Sequence, residues 1–87
     1  MEHMKIDPKK YGLPPRTELR QKGETGITLL INRKSRIIMK DGQKIFSKVE
    51  KIRQKDPKMS VELETTAPVC SKTEKFLQEN GIAVRKV

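Results

Sequence analysis

The chain is poor in the residues that most chemistry needs. Its 87 residues include one cysteine, one histidine, no tryptophan and three aromatic side chains, Tyr11, Phe46 and Phe76. A lone cysteine forms no internal disulfide, and the histidine, His3, lies far from it in sequence. Cysteine–histidine catalysis and a zinc site both lack their ligands. No metal and no cofactor is expected, and no pair of inward carboxylates suggests acid–base work. The scarcity of aromatics removes the stacking platform of a single-strand binder. It also removes the aromatic signature of the RNA-binding RRM sheet.

Long apolar runs are missing as well. Nothing approaches the roughly 20 residues needed to cross a bilayer. The opening MEHMKIDPKKYG has no apolar segment of the kind a secretory signal carries. The expectation is a cytoplasmic protein with no membrane partner. Met1–Met4 have the look of a cloning remnant.

Positive charge is what the chain has in excess. The net charge is +9, with 20 basic and 11 acidic side chains. Residues 26–54 hold eight basic and two acidic groups, a balance of +6; residues 1–25 hold six and four, and residues 55–87 six and five. The field therefore arises mainly in the middle third.

At this length one small domain is expected. Residues 1–25 contain three prolines, two glycines, many charges and no period of 2 or 3.6. They read as a flexible basic arm, with room for a helical turn or two over 16–22. Residues 26–87 read as the compact α/β domain. Ile27-Thr28-Leu29-Leu30-Ile31 is β-rich, Asn32-Arg33-Lys34-Ser35 is a plausible turn, and Arg36-Ile37-Ile38-Met39-Lys40 returns as a second strand. A competing reading runs a helix through Ser35–Gln54; Gly42 inside it would cost about 1 kcal/mol. The favoured helix is Gly42–Gln54, with Asp41 as its N-cap and Ile45, Phe46, Val49 and Ile52 on its core face. Asp56-Pro57 ends it. Residues 59–64 alternate as a half-buried strand. Ser71-Lys72-Thr73-Glu74 fits a capping box for a second helix, which Asn80-Gly81 closes. Residues 82–87 form a last strand. The order is ββαβαβ: an α+β or α/β fold, with a four-stranded mixed sheet, two helices on one face and a parallel crossover at its end.

Two places can carry function. The first is the end of the strand at Cys70, where Cys70, Ser71, Lys72 and Thr73 would offer a helix N-terminus to an anion. A thiol there can have a lowered pKa. In glutaredoxin-type chains a strand ending in Thr-x-Pro leads to a cysteine motif, a helix and a Gly-Ile strand. Thr66-Ala67-Pro68, Cys70 and Gly81-Ile82 resemble that pattern without its second cysteine, so membership does not follow. The simpler account packs Val69 and Cys70 under the helix.

The second place is basic. Lys44, Lys48, Lys51 and Lys55 fall within an arc of about 60° on the first helix. Like charges so spaced repel by a few tenths of a kcal/mol per pair. Arg33, Lys34, Arg36 and Lys40 would join them if the hairpin tip lies near. A phosphate backbone is one partner for such a surface. An acidic protein is another, and a solvated helix face, with acids such as Glu62 and Glu64 as candidate partners across the sheet, is the plain alternative. Three function classes follow: a small basic module for nucleic acid or another polyanion, a protein–protein adaptor using the open sheet face or edge, and a thiol or anion-binding enzyme at Cys70. The first ranks highest, and the enzyme last.

Overall fold

The computed structural model describes residues 5–87, so the remnant expected at Met1–Met4 lies outside the described residues. Five strands form one mixed sheet in the order β1-β2-β3-β4-β5: Lys5–Ile6, Glu18–Lys22, Gly26–Ile31, Ser60–Thr65 and Ala83–Lys86. Helix α1 spans Met39–Lys55 and α2 spans Ser71–Glu79. The sequence pattern implies four strands; β1 and β2 are additional to it and the strand expected over 36–40 is missing, which makes five.

The hairpin exists, but its partner strand differs. β3 pairs antiparallel with β2, with Leu19 opposite Leu29 and Lys22 opposite Gly26. Gly23 turns the chain at φ 69°, a left-handed angle that glycine takes without strain. Residues 18–22, read from sequence as part of a flexible arm, are therefore a sheet strand with Leu19 fully buried. The expected return strand over 36–40 is absent. Ile37 makes a single bridge to Val69, and Met39 already begins α1.

From β3 onward the topology is parallel. α1 connects β3 to β4 and α2 connects β4 to β5, both strand pairs running parallel. β4 alternates as its sequence does: Val61, Leu63 and Thr65 point into the core, while Glu62 and Glu64 lie on the other face. Ile45, Val49 and Ile52 of α1 and Leu77 of α2 share one cluster with Ile27, Leu29, Val61 and Leu63. Both helices therefore cover the same side of the sheet, and the opposite side is open. Each buried aliphatic side chain contributes about 1.5–3 kcal/mol of transfer free energy.

The helix ends differ in how they are closed. α2 ends with Ile82 donating to the Leu77 carbonyl at 2.9 Å and Gly81 to that of Gln78 at 3.1 Å. This is a Schellman closure with Gly81 at φ 74°, as the Asn-Gly pair implies. The capping box expected at Ser71 does not form. Cys70 occupies the N-cap position, and Ser71 is the first helical residue. Asp41 is likewise not the N-cap of α1; it lies in the first turn and accepts from the Ile38 amide at 3.1 Å.

Two contacts hold the helices together. Phe46 and Phe76 meet edge-to-face at 5.8 Å. Arg53 donates to the carbonyls of Asn80 and Gly81, both at 3.0 Å, fastening α1 to the end of α2. Gly42 lets the first turns approach: a Cβ there would stand 2.7 Å from the Thr73 methyl.

Candidate nucleic-acid interface

Because α1 starts at Met39, its lysine stripe gains a member. Lys40, Lys44, Lys48, Lys51 and Lys55 fall within about 80° of arc, on a line about 22 Å long. The flank that meets α2 carries Gly42, Phe46 and Arg53, and on the helical wheel the lysines lie away from it. Four of the five are exposed and Lys48 is half-buried. Burial pulls the Lys48 ammonium below the usual lysine range, with a smaller push from the Lys44 charge. Among the described residues, none of the five has a carboxylate within ion-pairing distance.

The plain alternative for this stripe is a solvated face, for which Glu62 and Glu64 are the candidate ion-pair partners. Those glutamates lie on the opposite side of the sheet and have other partners. Glu62 accepts from Lys22 at 3.0 Å and from Thr28 at 3.1 Å, and Arg85 bonds Glu64. Burial alone would raise the Glu62 pKa, but Lys22, Thr28 and Arg85 outweigh it and hold the carboxyl below the usual range. The open face is thus internally neutralised, whereas the lysine ridge is not.

The remaining basic candidates divide. Arg33 is occupied: it donates to the carbonyls of Ser35 and Arg36 and to Asp41 at 2.6 Å. That guanidinium, first through its hydrogen bond, holds the Asp41 carboxyl below the usual range. Arg33 therefore shapes the turn into α1, whereas Lys34 and Arg36 stay exposed.

Arg36 also reaches the second candidate place. Ile37 donates to the Pro68 carbonyl at 2.8 Å, and Cys70 donates to that of Ile37 at 2.9 Å. This bridge lays the 33–38 loop beside the start of α2. Arg36, Pro68, Val69, Cys70, Ser71 and Lys72 line a cavity of about 460 Å³ there. The two sets of residues separated in sequence are thus brought together at Arg36 and Lys72. Thr73, also expected there, is fully buried against α1 instead.

Cys70 is half-buried and reduced. The amides of Lys72 and then Thr73 face its sulfur and lower the thiol pKa, against a smaller opposing effect of burial. The Thr73 hydroxyl and the Arg36 charge act in the same direction. The Cys70 side chain makes no capping hydrogen bond, and the Thr73 hydroxyl is without a partner among the described residues. Among the described residues no three His, Cys, Asp or Glu side chains gather as metal ligands would.

The fold resembles part of EndoMS. The apo form of EndoMS superposes with a TM-score of 0.66 at 21% identity, covering 82% of this chain and 31% of that one. The structure described as the EndoMS–dsDNA2 complex superposes with a TM-score of 0.66 at 21% identity, covering 80% and 29%. This chain thus spans about a third of the EndoMS length, and the likeness is one of fold. No family model and no curated protein matches the sequence. No helix among the described residues is long and apolar enough to cross a membrane.

Sequence reasoning missed the placement of Arg36 and Lys72 on one cavity. It depends on the Ile37–Val69 bridge, a contact between segments 32 positions apart for which no local pattern codes.

Proposed function

We propose that this chain is a nucleic-acid-contacting module that grips phosphates with the lysine ridge of α1. The observation that carries the reading is that Lys40, Lys44, Lys48, Lys51 and Lys55 stand on one line without carboxylate partners among the described residues. Holding like charges together in this way costs stability, and an external polyanion relieves that cost. Arg36 and Lys72 add two cations at the Lys40 end of the ridge. The fold likeness to a protein solved as a dsDNA complex supports the same reading. Arg33 contributes less to the grip, because three of its five N–H donors are engaged by Asp41 and two carbonyls and its charge is balanced by that carboxylate.

The direct test is fluorescence anisotropy of a labelled oligonucleotide at low salt, with wild type and the double reversal Lys44→Glu/Lys51→Glu. Both side chains are exposed, so the fold is retained, and a thermal melt checks this. The expected result is a loss of affinity of at least about tenfold with a melting temperature no lower than that of wild type. Equal affinity in the folded variant refutes the reading.

A further inference from the structure

Resting on that reading, we infer that the ridge takes a double-helical backbone, gripped from outside its grooves and without regard to base sequence. Three observations on the ridge lead there.

The first concerns shape. A nucleic-acid major groove about 12 Å wide can admit an α-helix, provided the helix stands clear of its own protein. α1 does not stand clear. Its Ile45, Val49 and Ile52 face is buried against the sheet, and its Gly42, Phe46 and Arg53 flank is fastened to α2. What remains to meet a ligand is its outer side, where the lysine row can lie along phosphates while α2, packed alongside, keeps the helix from sinking into a groove.

The second concerns chemistry. The row consists of lysines, which are donor-only point charges on flexible stems. Base discrimination in a groove uses bidentate side chains such as Arg, Asn or Gln. Gln43, Ser47 and Gln54 are exposed as well, but on the line facing away from the sheet, about 80° round the helix from the lysine row, so a backbone lying on the row leaves them to one side of it.

The third concerns stacking. Sequence-tolerant binding of single strands rests on aromatic faces presented to the bases. Tyr11 is 4% exposed, and its hydroxyl is committed to Asp56 at 2.6 Å. Phe46 and Phe76 are packed on each other against the core. No aromatic face is therefore available to an unstacked base among the described residues.

A row of five cations with no aromatic face beside it favours the ligand with the highest and most regular density of phosphate. That is a duplex, with a charge every 1.7 Å or so of its axis, about twice the density along one of its strands. A row of ammoniums answers to charge density rather than to sugar type, so DNA and RNA duplexes are equivalent ligands for it.

The test is equilibrium anisotropy of the full chain with four labelled probes of about 20 residues per strand, at about 100 mM salt. These are a DNA duplex, one strand of it chosen to lack self-pairing, a DNA duplex of unrelated sequence, and an RNA duplex. The three duplexes are expected to bind within a few-fold of one another, and the single strand at least about tenfold more weakly. A single strand bound as tightly as the duplex overturns the inference while leaving the phosphate grip in place. So does a difference above about tenfold between the two DNA duplexes, because it would mean base readout. Absence of binding to all four probes, repeated at about 50 mM salt, overturns the phosphate grip and this inference with it.

Discussion

At Asp41 one carboxylate accepts from the Ile38 amide at 3.1 Å and from the Arg33 guanidinium at 2.6 Å. The first contact closes the start of α1 and the second folds the preceding loop against it. Replacing Asp41 with Ala is expected to cost about 1–3 kcal/mol of stability in urea unfolding, because both donors lose their acceptor. The contribution depends on pH. The folded carboxyl lies below its ordinary value of 3.8, so the unfolded chain binds a proton more readily than the folded one. The stability is present in full above the ordinary value and is lost as pH falls through the lowered one. Wild type should therefore lose more stability than Asp41→Ala between about pH 6 and pH 3; equal losses would show that Asp41 contributes none. Glu62, also held low, adds a separate acid-labile share that remains in the variant. Cys70 allows a second test at this scale. Its alkylation rate should titrate with a midpoint below the ordinary 9.0, because amides and Arg36 face the sulfur. A midpoint at or above that value contradicts the described placement.

Among the elements, the contact of α1 with α2 is governed by a missing side chain. An alanine at Gly42 would add helix propensity of about 1 kcal/mol, yet its Cβ would stand 2.7 Å from the methyl of a fully buried Thr73. Overpacking of that kind costs about 1–3 kcal/mol, so Gly42→Ala should be net destabilising. Removing the obstructing methyl with Thr73→Ser should return much of the loss in a double-mutant cycle; strict additivity would place the two residues out of contact. β2 offers a parallel test, with Leu19→Ala expected to cost about 2–5 kcal/mol as a core truncation. A change within about 0.5 kcal/mol would suit a loose surface segment instead. These elements also show what the sequence makes readable. α1, β4, α2 and β5 were legible because each carries a clean period and a recognisable stop. β2 was not, because Leu19 is the one apolar residue in Glu18–Lys22 and the pattern of a strand needs more than one. Arg36–Lys40 misled because adjacent isoleucines serve different ends: Ile37 is fully buried, whereas Ile38 is 49% exposed before the first turn of α1. In the candidate site, the lysine stripe was legible from its helical spacing. The commitment of Arg33 to Asp41 and the meeting of Arg36 with Lys72 were not, since both are tertiary.

Over the whole molecule, charge is sorted by the sheet. One side carries acids and bases that satisfy each other through Lys22, Glu62, Glu64 and Arg85. The helix side carries a lysine row that nothing among the described residues neutralises. That asymmetry is the central claim, and the salt dependence of duplex binding tests it most directly. Five neutralised phosphates correspond to a slope of about −4 to −5 in the logarithm of affinity against the logarithm of salt concentration. Between about 50 and 200 mM salt this is a fall of roughly 500-fold. In Lys44→Glu/Lys51→Glu the slope should become shallower by about 2. A slope near zero, or one that the double reversal leaves unchanged, would contradict the account.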